Sequence, residues 1–388
     1  MRREPVSFQR GMRIIGNNRY SLLSGLLTDE KLYARTPVIK RGKGPYLYDY
    51  DENRFIDFDL HGGTLLLGHA PPRLTSVMKA WLNRGFSPGF PSAAHRLLSK
   101  TLQDVLYEES NIEIKLVYLD SIYEAVPVLS LFLSQAARGG GGVFVCNRKE
   151  PRDIPLFYHN LNGSTYGDIE GLNAGSIDYA VLRIDEAVDP KMVHGGLKWL
   201  KKRSIPLIGD AATFNSFLHM KRLKDWHRQF DAVIFGSWLT SGLPFSAISL
   251  HDMSIFNKDG GSQNQIVSLP AALPETGASS LYKLKTAQRS LHIFQKSGGF
   301  SALLDKHGRF YAALDKKYFK LCGGLVCFCE DDRLRNAFGD LRLHLLRAGF
   351  IFPHALSSPL ALSFAHSDEL VKKSAHGINE ILHLFFQS

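Results

Sequence analysis

The sequence predicts an α/β protein, with a large domain on a mainly parallel sheet and a smaller α+β domain built from both chain termini. Three observations carry this expectation. Between residues 114 and 250, continuous apolar runs alternate with helical patterns, as in strands buried on both faces by crossover helices. The last third instead carries two long helical patterns, followed by a strand-helix-strand-helix arrangement. With 388 residues, 44% of them hydrophobic, the chain is long enough for a substantial core and two domains. The expected division is a segment 1–60 contributing to the small domain, a large domain over 61–298 and a C-terminal small domain over 299–388.

The first patterned stretch is GPYLYDYDENRFIDFDL (44–60), where apolar residues alternate on either side of Asp51-Glu52-Asn53, as in a hairpin. IKLVYLD (114–120) reads as a strand and YEAVPVLSLFLSQAA (123–137) as a helix. Gly139 to Gly142 read as a loop before the strand VFVC (143–146). Then come the strand YAVLRID (179–185), the helix PKMVHGGLKWLKKR (190–203), the strand PLIGD (206–210) and a polar helical KRLKDWHRQ (221–229). The strands AVIFGS (232–237) and FSAISL (245–250) close this region. Helical patterns follow over roughly 280–296 and 299–319. The chain ends with a strand at 323–329, the helical RLRNAFGDLRLHLLRAG, the strand LALSFAH and the helical DELVKKSAHGINEILHLFF. No internal repeat or low-complexity segment is visible.

Composition narrows the function classes. No window approaches 18 consecutive apolar residues, so no membrane span is expected. The N-terminus MRREPVSFQRGMRIIG is basic but lacks an apolar core, which argues against a secretory signal. The four cysteines suit a reducing, cytoplasmic setting. Cys322, Cys327 and Cys329 lie close in sequence, but their spacing is no zinc pattern and no histidine is near, so core packing is expected and no metal site. The net charge of +10 raises nucleic-acid binding. However, the densest basic run, Lys198, Lys201, Lys202 and Arg203, sits at a helix end, where cations favour the dipole and solvent. Elsewhere Lys and Arg are dispersed, as on a solvated surface.

Open α/β sheets bind ligands at the carboxyl ends of their strands. Here those ends are Asp120-Ser121, Asn147-Arg148, Asp185-Glu186, Asp210 and Ser237. Asp210 is the most informative, because it closes an apolar strand with Gly209 before it and Ala211-Ala212 after it. By position it reads either as a ligand-facing carboxylate or as a turn or helix-capping aspartate. The stretch FGSWLTSGLP (235–244) has the small residues that let a backbone approach a ligand, yet no lysine occurs between Lys224 and Lys258.

These motifs, in this order, resemble a known family over nearly the whole chain. PVIKRGKGPYLYDYDENRFIDFDLHGGTLLLGHAPP (37–72) is similar to a family segment reading much like IKRGKGAYLYDVDGNRYIDY…LGHAHP, in a long and nearly gapless match. LSFAHSDELVKK (362–373) resembles the family's C-terminal strand and helix start. Between them, IPLIGDAATF (205–214) fits LLIFDEVMTGF, and DAVIFGSWLTSGLPFSAI (231–248) fits DLTTLGKIIGGGLPVGAY. The chain resembles the class III aminotransferases of pyridoxal phosphate (PLP) fold type I, in particular glutamate-1-semialdehyde 2,1-aminomutase.

The resemblance implies a PLP cofactor, a homodimer and a set of site positions. Asp210 matches the carboxylate that pairs with the protonated pyridine nitrogen. Ser237 stands where the family has its Schiff-base lysine, and a hydroxyl forms no Schiff base. The phosphate-cup motif NSGTEA corresponds to Asp120-Ser121-Ile122-Tyr123-Glu124-Ala125. There Ile122 replaces the glycine that lets backbone amides reach a phosphate, Tyr123 replaces a small hydroxyl residue, and Asp120 adds an opposing charge. The ring-stacking aromatic aligns with Asn147, the glutamate of VEP falls near Ile184, and the carboxylate after the family aspartate becomes Ala211. SWGP becomes His61-Gly62-Gly63-Thr64. The neighbouring subunit's phosphate-binding threonine corresponds to Thr276.

Loss of lysine, cup and stacking residue together points to a chain that does not transaminate, with Asp210, Ser121 and Thr276 as remnants and a binding or scaffold role, with a protein partner. The alternative is an enzyme that binds PLP or its amine form, PMP, without a covalent lysine, with His61 or Tyr123 as a base. His61, beside two glycines, also reads as an ordinary loop histidine.

Overall fold

The computed structural model describes residues 37–85, 92–107, 114–134, 141–146, 161–166, 168–184, 190–251, 280–329 and 331–387. It divides into two compact units, Met1–Arg73 with Lys296–Ser388, and Leu74–Gln295.

The first unit opens with an antiparallel meander of β1 (Ile39–Lys43), β2 (Tyr46–Asp49) and β3 (Arg54–Asp57). Its second turn is made by Asp49, a fully buried aspartate. One of its carboxylate oxygens accepts from the N–H groups of Asp51 and Asn53, and the other from the Asn53 amide. A short polar side chain thereby supplies the acceptors that the reversing backbone lacks.

The second unit carries α1 (Pro72–Leu82), which bridges the boundary, and α2 (Ala93–Leu102), capped by Ser92. Its centre is a sheet of β4 (Lys115–Leu119), β5 (Gly141–Cys146), β6 (Asn162–Thr165), β7 (Ile177–Leu182), β8 (Leu207–Ala211), β9 (Ala232–Phe235) and β10 (Ser246–Leu250). The spatial order is β4-β10-β9-β8-β7-β5-β6. Only β10 runs against its neighbours. Helices α3 (Ala125–Ser134), α4 (Pro190–Lys202), α5 (Phe214–Met220) and α6 (Leu281–Lys296) belong to this unit. The central strands are apolar through their length, and Phe144, Val181, Ile208 and Ile234 are buried together with Val128 and Leu129 of α3.

The chain then returns to the first unit through α7 (Gly299–Ala313), β11 (Phe319–Cys322), β12 (Leu325–Phe328), α8 (Asp332–Arg347), β13 (Phe350–Ile351) and α9 (Asp368–Gln387). Strand β13 pairs in parallel with β3, joining the two ends of the chain in one sheet. Phe58, Phe310, Phe328, Phe338, Leu341 and Ile378 form part of its core. The fold is thus α/β, with a large mainly parallel sheet and a smaller α+β unit from both termini.

Four local expectations change. Gly141 and Gly142 belong to β5, because a Cβ on Gly142 would lie 2.4 Å from the Tyr179 ring and only glycine fits there. The helix near 221–229 lies earlier, at α5. Thr213 caps that helix, and Asp225 in a left-handed conformation breaks the later stretch. The long pattern over 299–319 stops at Ala313, before the turn into β11. The strand expected at 360–366 reduces to a single bridge, Val326 to Leu360. Beyond it, the Ser363 N–H and hydroxyl turn onto His366 Nδ1, and Lys306 of α7 donates to the Ser363 and His366 carbonyls.

Candidate functional site

Strand register brings the predicted positions to one edge of the large sheet. Ser246 pairs with Leu119, Ala247 with Phe235, Ala211 with Phe235 and Leu182 with Gly209. Asp120, Ser237 and Asp210 therefore all emerge at the carboxyl ends of parallel strands. The same register sets Arg183, one residue past β7, against Asp210.

Asp210 is 1% exposed, so its charge needs a partner. It has one that the sequence reading did not single out. Arg183 Nε donates to Asp210 Oδ2 at 2.7 Å, and the Ala212 N–H donates to Oδ1 at 2.9 Å. The guanidinium also lies 5.7 Å from the centre of the buried Phe144 ring. Its backbone is held on both sides, since its N–H donates to the Val145 carbonyl and its own carbonyl accepts from the Tyr166 hydroxyl. The available signal was a lone arginine ending the apolar run YAVL, directly across the ladder from an aspartate ending PLIG.

Ser237 begins a short 3₁₀ turn, Ser237–Thr240, directly after Gly236. A Cβ at Gly236 would meet the Ala212 carbonyl oxygen at 2.1 Å, so the backbone of this turn is pressed against the end of β8. The Ser237 carbonyl accepts from Gly242 N–H at 3.0 Å and lies 2.7 Å from the Thr240 hydroxyl. Trp238, 1% exposed, donates its indole N–H to the Ala211 carbonyl at 2.9 Å and stacks on Phe217. The turn is tied by hydrogen bonds at both Ser237 and Trp238, with the Trp238 ring in the core.

At the end of β4 the polar groups close on themselves. Ser121 caps a 3₁₀ turn, Ile122–Glu124, its hydroxyl accepting from the Tyr123 N–H at 3.3 Å. Ile122 packs against the sheet core, whereas Tyr123 is 58% exposed. The Asp120 carboxylate accepts from the Ser280 N–H and hydroxyl, both at 3.2 Å, and lies 3.3 Å from Lys283 Nζ. Lys283 also donates to the Asp120 carbonyl. Burial raises the Glu124 carboxyl above the ordinary carboxylate range, against a lowering hydrogen bond from the Asp120 backbone. Ser280 and Lys283, at the start of α6, were not anticipated.

Ile184 and Ala211 are buried. In the other unit, His61 is exposed in a tight turn at φ 55°, and the Thr64 hydroxyl donates to its carbonyl. Asn147 and Thr276 lie outside the described residues. The four cysteines are free, and Cys146, Cys322 and Cys327 are buried. No described helix is long and apolar enough to cross a membrane.

Comparison with solved structures follows the same lines. A transaminase with PLP bound superposes with a TM-score of 0.73, covering 98% of each chain at 15% identity. The adenosylmethionine-8-amino-7-oxononanoate aminotransferase from Methanocaldococcus jannaschii gives 0.73 as well, over 97% of this chain and 99% of that one at 17% identity. A PMP-bound aminotransferase from Vibrio fluvialis gives 0.72 over the full length of both. The fold is that of the PLP-dependent aminotransferases, fold type I. No protein-family profile matches the chain. Among curated proteins, it is 38% identical over 73 residues to the glutamate-1-semialdehyde 2,1-aminomutase of Heliobacterium modesticaldum, 19% of this chain and 17% of that protein. The aminomutase of Alkaliphilus metalliredigens is 32% identical over 95 residues, 24% of this chain and 22% of that protein. The chain thus aligns with about a fifth of the length of these curated relatives.

Proposed function

We propose that this chain is an aminotransferase-like, aminomutase-like protein that does not transaminate and serves a binding or scaffold role. The single observation behind this reading is that the Asp210 carboxylate is already held by the Arg183 guanidinium at 2.7 Å. The resemblance adds that Ser237 occupies the lysine position, where a hydroxyl supplies neither a covalent anchor nor an ammonium proton donor.

The residues present do not fit PLP. A carboxylate that would pair with a protonated ring nitrogen here carries a cation, and a second cation beside it meets like-charge repulsion. Two unit charges ~4 Å apart repel by about 4 kcal/mol at an effective dielectric of ~20. At the other end, Ser280 and Lys283 are engaged on the Asp120 carboxylate, an anion of the chain's own. Ile122, packed on the core, stands where the cup motif has glycine.

The test is amino transfer. Purified protein incubated with PLP or PMP and glutamate-1-semialdehyde, or a simple amine donor, is expected to yield no transaminated product. Transfer at any rate proportional to protein concentration overturns the reading in favour of a lysine-free cofactor enzyme. The same reading makes the protein a cytoplasmic homodimer. Buried free cysteines suit a reducing compartment, and two-fold association is the commonest oligomeric arrangement. Light scattering is expected to give a dimer mass, and a monodisperse monomer contradicts it.

A further inference from the structure

We infer that Arg183 is the built-in counter-cation of Asp210, so that this sheet edge completes itself from within the chain and needs no small-molecule cation to fold. The inference rests on the non-transaminating reading above and adds the residue that keeps a ring cation out.

The geometry carries it. Register Leu182 to Gly209 puts Arg183 and Asp210 side by side on adjacent parallel strands, where directly opposed residues project to the same face. Asp210 is buried, and a buried carboxylate is stable only with a counter-charge or several donors. It has both, Arg183 on Oδ2 and the Ala212 N–H on Oδ1. Val145 and Tyr166 fix the Arg183 backbone, and the buried Phe144 ring lies beneath its guanidinium. The cation is thus placed by the strand ladder rather than by a mobile loop. The anion at the end of β4 is likewise answered from inside, Asp120 by Ser280 and Lys283. Arg183 therefore controls access to Asp210, and restoring a lysine at position 237 leaves that control in place.

The test titrates PLP into four proteins and follows quenching of tryptophan fluorescence, Trp238 being next to Ser237. The proteins are the unmodified chain, Arg183→Lys, which keeps a cation, Arg183→Gln, which keeps a hydrogen bond but no charge, and Ser237→Lys. Arg183→Gln is expected to bind at least ~10-fold more tightly than the unmodified chain, whereas Arg183→Lys and Ser237→Lys gain less than ~3-fold. A tenfold change corresponds to about 1.4 kcal/mol. Equal affinity of Arg183→Gln and the unmodified chain overturns the inference. A greater gain from Ser237→Lys than from Arg183→Gln does so too. Stoichiometric binding by the unmodified chain overturns the inference, since Arg183 then excludes nothing, whereas only amino transfer in the assay above overturns the non-transaminating reading, so the two fail separately. If Arg183→Gln does not fold, the double variant Arg183→Gln/Asp210→Asn decides. Recovery of cooperative melting by the double variant supports the pairing, and failure to recover overturns it.

Discussion

The unit formed from both chain termini and the unit built on the seven-stranded sheet bury charged groups in different ways. In the first, Lys306 donates to the backbone carbonyls of Ser363 and His366, and Asp57 accepts the N–H groups of Asp59 and Leu60 while meeting His69 Nε2 at 2.8 Å. These groups tie loops to helices and strands. At the carboxyl edge of the large sheet, Asp210 and Arg183 project from neighbouring strands and are matched chiefly to each other. A side chain spent on a backbone serves the fold. A charge pair at the edge where such sheets bind ligands stands, on the reading proposed above, in place of a ligand's charge.

The largest effect should come from breaking that pair on one side. Asp210→Ala leaves Arg183 with an uncompensated charge in a partly buried place and is expected to cost roughly 3–5 kcal/mol in denaturant unfolding. Replacing both by neutral residues, as in Arg183→Met/Asp210→Leu, should cost clearly less than the sum of the single changes. Additive costs would show that the two side chains do not depend on each other.

Acid should act on the other unit. Burial pushes His307 down to about 3, helped by His366 and Lys306. Burial also pushes His366 down to about 4, against the raising effect of Asp57. Both are neutral in the native state, so the unfolded chain binds more protons once the pH drops below ~6.5. Their contribution is intact above that pH and is lost progressively below it, by roughly 4 kcal/mol for the two together as pH falls to 5. Melting temperature against pH should slope accordingly, and His366→Gln should flatten part of the slope. An unchanged melting temperature between pH 7 and 5 contradicts it.

The sheet was legible because its strands, buried on both faces, are written as unbroken apolar runs such as VFVC and AVIF. Asp210 was legible for the same reason, as a charge closing such a run between Gly209 and Ala211. Arg183 was not, because an arginine at a strand end reads as surface until the register places it against Asp210. The 360–366 stretch misled in the opposite sense. Its apolar Leu360 and Leu362 are buried, but Ser363 and His366 use their polar groups on a turn. The polar 221–229 pattern conceals buried Trp226 and His227, packed beneath Tyr107 rather than along a helix face.

Lys306→Met should cost about 1–3 kcal/mol, since it strips a donor from two carbonyls, and proteolysis of the 363–366 turn should rise with it. Asp120→Asn should cost less than about 1 kcal/mol, because its side chain is 37% exposed and its ion pair with Lys283 is solvent-screened. A larger loss there would mean that the end of β4 is as firmly closed as the end of β8.

The decisive measurement is calorimetric titration of PLP into the unmodified protein at micromolar concentration. With Arg183 on Asp210 and Asp120 at the opposite end, only the heat of dilution is expected. A saturable one-to-one isotherm would contradict the self-filled site and return the chain to the cofactor-dependent enzymes whose fold it shares.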